Sequence, residues 1–218
     1  MSEITGIVKH GKETYSIFLD GMFFCKLNAE TIVKHGFKVG NNVSEDEIEN
    51  AQSENEKLVA FDRCLKLLSV PKSKKQVKDY LYSKGYTTKT VDFCISKLEE
   101  YNYLDDQAFA DMYVKSYCYK KGKRLLDFEL KAKGISEEKI RCALEHYNPN
   151  EDDLLCLSEK FLKNKPRDKK TMSKLAQHLF SKGFSFDEIN PVLKKLIDFG
   201  ESNENWDWHT WNWKNKRW

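Results

Sequence analysis

One phrase occurs three times at a fixed interval. Leu81-Tyr82-Ser83-Lys84-Gly85, Leu130-Lys131-Ala132-Lys133-Gly134 and Leu179-Phe180-Ser181-Lys182-Gly183 stand 49 residues apart. The same shift aligns Val77 with Leu126 and Leu175, Val91 with Ile140 and Ile189, and Ile95 with Leu144 and Leu193. Apolar columns locked to one register mean that each unit is a supersecondary module whose apolar face is completed by its own helices and its neighbours. A chain built this way is constrained to a tandem helical array before any single residue is interpreted.

Each unit reads as three helices. The second helix begins at a cap position, Ser73, Gly122 or Thr171, and Ser73 forms a capping box with Gln76. It ends at Gly85, Gly134 or Gly183, where glycine can take the left-handed conformation that closes a helix. The next apolar residue, Tyr86, Ile135 or Phe184, suits the contact that goes with such a stop. Thr87, Ser136 or Ser185 then caps the third helix, and Ser185 pairs with Glu188 in a second capping box. The first helices are less regular and are expected near residues 56–69, 105–119 and 151–163. Asp105 or Asp106 is expected to cap the second of these, and Pro166 to end the third.

The first 43 residues follow a different pattern. Ile4–Lys9, Thr14–Leu19 and Met22–Leu27 are rich in β-branched and aromatic residues, and Asp20-Gly21 is a two-residue hairpin signal. A short helix from Asn28 to His35, stopped by Gly36, and a strand at Phe37–Val43 should complete a β-rich cap. Ser44-Glu45-Asp46-Glu47 is a capping box that opens the helical part. The expected fold is therefore mainly α, with three tandem helix-turn-helix-like repeats in a curved array behind a small β-rich domain. The boundaries read as 1–43 for the cap, 44–101, 102–149 and 150–200 for the repeats, and 201–218 for a Trp-rich tail.

Charge and motif narrow the function. A net charge of +3 on 218 residues leaves any contact with an anionic partner to local patches. No run of 18 apolar residues exists, and the N-terminus lacks a basic-then-apolar leader pattern, so a soluble cytoplasmic protein with no membrane contact is expected. The six cysteines are scattered without a CxxC pair, which fits reduced thiols, several of them in the core. Gly6-Ile7-Val8-Lys9-His10-Gly11-Lys12 approaches a phosphate-binding loop, but Glu13 replaces the Ser or Thr that the metal would need. Residues 13–19 alternate like a strand, so a hairpin turn is the expected structure there. The histidines lack metal-ligand spacing and none pairs with a nucleophile. No catalytic residue, cofactor or metal is assigned.

The binding candidates are basic and follow the repeat. Lys72, Lys121 and Lys170 coincide just before the second helices, with Lys74, Lys75, Lys123, Arg124 and Lys169 beside them. A helix start exposes unpaired N–H groups at the positive end of the dipole, so cations there compose a spot for phosphate or carboxylate. Lys84, Lys133 and Lys182 recur at the other end of the same helix, where a cation is favoured structurally. The densest basic run is 163–174, carrying Lys163, Lys165, Arg167, Lys169, Lys170 and Lys174. All five tryptophans lie in the tail, where Trp206, Trp208, Trp211 and Trp213 could stack on bases or dock on a partner.

Tyr103-Leu104-Asp105-Asp106, followed by Phe109-Ala110 and Tyr113, resembles a motif of the RecX family. The stretch from Gly122 to Ala143, with Leu144 after it, and Leu67-Leu68-Ser69 with Lys72-Ser73 through Leu81 and Lys84-Gly85 continue the likeness, which covers about residues 57–198. Asn102 stands where the family usually has Gly, and Val70 lies near a position where it commonly has Arg. The resemblance implies a non-enzymatic regulator that binds along the helical groove of RecA–DNA filaments, inhibiting ATPase, strand exchange and coprotease activity. It implies a role in DNA repair and recombination, with RecA as partner; direct contact with single- or double-stranded DNA is a second expected interaction, and a monomer is expected. The rival reading is a tandem helix-turn-helix module that acts on DNA without RecA. The first turns of the third helices, with Asp92, Glu137, Glu138, Asp187 and Glu188, disfavour sequence-specific readout, because acids there repel phosphate.

Overall fold

The structure is a computed structural model and describes residues 1–198. Trp206, Trp208, Trp211 and Trp213 lie outside the described residues. Two compact units are resolved, one of Met1–Phe109 with Lys133–Ser136, the other of Ala110–Ala132 with residues from 137 onward.

The first unit opens with a four-stranded antiparallel sheet of β1 (Ser2–Lys9), β2 (Thr14–Leu19), β3 (Met22–Asn28) and β4 (Asn42–Val43) in the order β3-β2-β1-β4. Asp20 and Gly21 both have positive φ, 47° and 82°, the conformation that a two-residue hairpin with the native twist requires. The phosphate-loop look-alike runs along β1 and into the turn where the His10 and Gly11 amides donate to Thr14. Ile4, Ile17, Leu27 and Phe37 fill the core of this domain beside α1 (Ala29–Lys34). The strand expected over Phe37–Val43 is reduced to β4. Gly40, at φ 89°, turns the chain, and Phe37 plugs the core instead of pairing.

Helix α2 (Glu45–Leu67) is a single 23-residue helix. The capping box at Ser44 and the first-repeat helix expected from residue 56 belong to one element, because neither Gly nor Pro interrupts it. From its middle, Asn55 reaches the edge of β3 and accepts from the Asn28 amide at 2.6 Å, closing part of that exposed strand edge. Helices α3 (Lys74–Ser83) and α4 (Thr88–Glu100) complete the first repeat, packing Val77, Leu81, Val91 and Leu98 against Ala60 and Cys64 of α2.

The remaining helices are α5 (Asp106–Tyr117), α6 (Lys123–Ala132), α7 (Glu137–Glu145), α8 (Glu151–Leu162), α9 (Lys169–Ser181) and α10 (Phe186–Asp198). Leu81, Leu130 and Leu179 are each fully buried, as are Val77, Leu126 and Leu175. Each such side chain contributes about 1.5–3 kcal/mol by leaving water, so the repeated columns are the cores of the repeats. Gly85, Gly134 and Gly183 close their helices at φ 82°, 81° and 88°. Asp105 caps α5, accepting from the Gln107 amide at 2.7 Å and the Ala108 amide at 3.1 Å.

Two helix boundaries depart from the sequence expectation. Helix α9 begins one turn early, capped by Asp168, whose carboxylate accepts from the Thr171 amide at 2.8 Å. Thr171 is thus inside the helix, since a free carboxylate three residues upstream is the better acceptor. Helix α8 ends at Leu162, ahead of Pro166, with Asn164 left-handed at φ 62°.

Candidate functional site

The basic candidates surround the starts of the second helices, and those starts are already occupied. At α3, the Ser73 hydroxyl donates to the Lys133 carbonyl at 2.7 Å, the Lys74 amide donates to Asp106 at 2.9 Å, and the Gln76 amide donates to Ser73 Oγ at 3.3 Å. At α6, the Gly122 amide donates to the Lys182 carbonyl at 2.9 Å and the Arg124 amide to the Gly183 carbonyl at 3.4 Å. At α9, Asp168 serves as the acceptor. The helix-end donors that would grip an anion are therefore bound largely to protein, and what remains to face a partner is side-chain charge.

The lysine column splits into unequal members. Lys121 is 22% exposed and donates to Glu129 Oε2 at 2.6 Å, with its ammonium 4.4 Å from the Tyr117 ring centroid. Glu129 also accepts from the Tyr113 hydroxyl at 2.8 Å. Burial works against the Lys121 charge, but its hydrogen bonds to Glu129 and Tyr113 prevail and raise its pKa above the ordinary lysine value. Lys121 therefore has a structural occupation that spacing alone does not reveal. Lys170 is exposed and Lys72 half-buried.

The flanking cations divide in the same way. Lys74 bonds Glu99 at 2.6 Å, Lys123 lies 5.3 Å over the Tyr147 ring, and Arg124 lies 4.3 Å over the Phe180 ring. Lys75, Lys123, Arg124 and Lys169 are nonetheless exposed to solvent. In the run from 163, Arg167 donates to the Leu196 carbonyl at 3.2 Å and Lys165 sits 3.7 Å over the Phe161 ring, so part of that basic stretch is anchored to its own repeat. The aromatic partners Tyr113, Tyr117, Phe180 and Tyr147 were not singled out by the charge pattern. The four-residue spacing of Tyr113 and Tyr117, which puts both on one helix face, is the sequence signal that could have found two of them.

All six cysteines are free thiols. Cys25, Cys64 and Cys94 are buried, while Cys142 is half-buried. A hydrogen bond to Cys94, together with burial, pushes the Cys64 thiol well up, which is the environment of an inert core thiol. Among the described residues no group of three or more His, Cys, Asp or Glu is placed to hold a metal ion. Among them, too, no helix is long and apolar enough to cross a membrane.

The three-helix units match three successive family domains. The first three-helix domain of RecX matches residues 60–98, the second residues 105–144 and the third residues 157–193. The chain belongs to the RecX family. These RecX domains correspond to the end of α2 with α3 and α4, to α5–α7, and to α8–α10, the units marked by the 49-residue interval. Among curated relatives, the regulatory protein RecX of Clostridium tetani is 30% identical over 88% of this chain and 92% of its own length. The regulatory protein RecX of Bacillus subtilis is 33% identical over 86% of this chain and 74% of its own. A crystal structure of regulatory protein RecX superposes with a TM-score of 0.64 at 24% identity, covering 89% of this chain and all of that one, and so shares its fold. RecX from Lactobacillus salivarius superposes with a TM-score of 0.58 at 25% identity, over 66% of this chain and 98% of that one.

Proposed function

We propose that this RecX-family chain is a cytoplasmic, non-enzymatic regulator that lodges, as a monomer, in the helical groove of the RecA–DNA filament. There it inhibits ATP hydrolysis, strand exchange and coprotease activity, and so modulates recombination and repair. The observation that carries the reading is the recurrence of solvent-facing cations at the starts of the second helices in three family-matched repeats. Lys75, Lys123 and Arg124, and Lys169 and Lys170 supply them, with the half-buried Lys72 beside Lys75. A protein–DNA filament repeats along its axis and carries the DNA phosphates, and side chains repeated along one chain can engage it at several points at once. The relatives' name, regulatory protein RecX, supports the regulatory half of the reading.

The test is RecA ATPase on single-stranded DNA with this protein added below stoichiometry. Inhibition is expected, and its absence at every ratio would reject the proposal. Lys72→Glu and Lys170→Glu together should weaken inhibition in a folded protein. A specific observation keeps the DNA-only reading in view: Tyr101 and Tyr103 are more than half exposed, with their ring centroids 6.5 Å apart, and Lys97 lies 5.6 Å over Tyr101. Exposed rings beside a cation suit stacking on unpaired bases. Tight binding to naked DNA that collapses with salt, without added affinity for filament, would select that reading.

A further inference from the structure

The Lys-Gly turn that closes each second helix is also a docking element, and two of its three copies are in use. The turn at Lys133-Gly134 sits on the start of α3: the Lys133 carbonyl takes the Ser73 hydroxyl at 2.7 Å, and a Cβ on Gly134 would stand 2.6 Å from Lys75 Cβ. The turn at Lys182-Gly183 sits on the start of α6. Its Lys182 carbonyl takes the Gly122 amide at 2.9 Å, and a Cβ on Gly183 would overlap the backbone of Leu125. Each of these two junctions lies inside one compact unit.

The third copy has the same backbone and, among the described residues, no occupant. Gly85 has φ 82°, matching 81° and 88° at the other two, yet nothing lies within 4 Å of where its Cβ would be. Among the described residues the carbonyls of Lys84 and Gly85 accept no backbone hydrogen bond outside the helices. Tyr82, the counterpart of Phe180 two 49-residue intervals earlier, is 46% exposed, whereas the Phe180 ring is covered by the Arg124 guanidinium at 4.3 Å. Closing a helix requires a left-handed glycine but not an empty carbonyl pair with an exposed ring beside it.

The two filled junctions define what the vacant one fits. Both incoming helix starts read as a small residue followed by two cations, Ser73-Lys74-Lys75 and Gly122-Lys123-Arg124. We propose that Tyr82, Lys84 and Gly85 form a docking site for the first turn of an α-helix on a partner protein. That turn would begin with a small capping residue followed by basic residues. The cap donates to the Lys84 carbonyl, the amide two residues on donates to the Gly85 carbonyl, and the basic side chain covers Tyr82. A second copy of this chain is disfavoured as occupant, because the one second-helix start not already seated on a Lys-Gly turn is that of α9. There the Asp168 carboxylate would meet the Lys84 carbonyl, acceptor against acceptor.

The test uses the full chain and Gly85→Asn, since asparagine tolerates the left-handed turn while filling the docking space. The first probe is a stapled helical peptide opening Gly-Lys-Arg, titrated into isotope-labelled protein and followed by amide shifts. Shifts localised to Tyr82, Lys84 and Gly85 are expected in the wild type, and they should vanish in Gly85→Asn and with a peptide opening Asp-Glu-Glu. No localised shift at millimolar peptide overturns the site. The second probe is the RecA filament, whose choice as partner rests on the function proposed above. Gly85→Asn should bind it at least about tenfold more weakly, a difference of about 1.4 kcal/mol. Equal binding by a folded variant overturns the partner assignment. Failure of the wild type to bind filament would instead count against the proposed function, leaving the peptide to decide the site. Self-association of the wild type that Gly85→Asn abolishes would make a second copy the occupant and overturn the choice of a partner helix.

Discussion

The hydroxyl of Ser73 donates to the carbonyl of Lys133 at 2.7 Å across 60 residues of sequence, and the 49-residue counterparts Gly122 and Lys182 are joined by an amide donor at 2.9 Å. One junction thus occurs twice with different chemistry on the donor side. Where serine supplies a hydroxyl the turn stands further off. Where glycine supplies only its amide, the two backbones close to contact at Gly122 and Gly183.

That contact makes Gly122 intolerant of a side chain. A Cβ there would overlap the Gly183 carbonyl, which is backbone and cannot move aside. Gly122→Ala is expected to cost about 1–3 kcal/mol, the usual range for overpacking a close contact. Gly11→Ala, whose Cβ would meet only Thr14 at 3.9 Å, serves as the control. Urea unfolding measures both, and equal midpoints would refute the junction's tightness.

Lys121 is expected to matter for stability as well as binding. Lys121→Glu sets two carboxylates together in a half-buried site and removes the partner of Glu129, costing on the order of 1–3 kcal/mol. Lys170→Glu, at an exposed position, should leave the melting temperature nearly unchanged. A charge-reversal series that ignored this difference would confuse unfolding with lost contact.

His178 should make stability fall in acid. Its ring stacks on Phe161 at 4.9 Å, and burial, followed by the nearby Lys182 and Lys165 charges, lowers its pKa from 6.5. The unfolded chain therefore takes up the proton more readily than the folded one. The stability linked to this group is complete above about pH 6.5 and declines as the pH drops below that value. Denaturant midpoints at pH 7.5 and pH 5 should differ less in His178→Gln than in the wild type, and identical differences would remove His178 as the cause.

Truncation should separate repeat core from repeat surface on one helix. Leu130 is fully buried in α6 and Phe128, two residues earlier, is 69% exposed. Leu130→Ala should cost about 2–5 kcal/mol, while Phe128→Ala should change stability by less than about 0.5 kcal/mol. Paired chemical denaturation curves check this, and comparable losses would mean that Phe128 is covered in solution.

Much of the architecture was legible locally. Helix stops at Gly85, Gly134 and Gly183, caps at Ser44, Ser73 and Ser185, and the turn at Asp20-Gly21 depend on residues a few positions apart, so short-range preferences specify them. Boundaries failed where two local signals competed, as when Asp168 displaced Thr171 as the cap of α9. The site was legible only as a column of lysines. Which cations spend their charge internally depends on Glu129, only eight residues beyond Lys121, and on Glu99 and Phe180, which packing between helices brings to Lys74 and Arg124.

By itself the sequence determined that this chain has three homologous three-helix modules behind a β-rich domain, because a fixed interval of apolar residues and glycines admits no other register. Only the tertiary structure decided that the second and third Lys-Gly turns seat on helix starts 60 residues earlier in the chain, while the first meets none among the described residues. Hydrogen bonds and close backbone contacts between modules arise from three-dimensional packing, which sequence spacing does not encode.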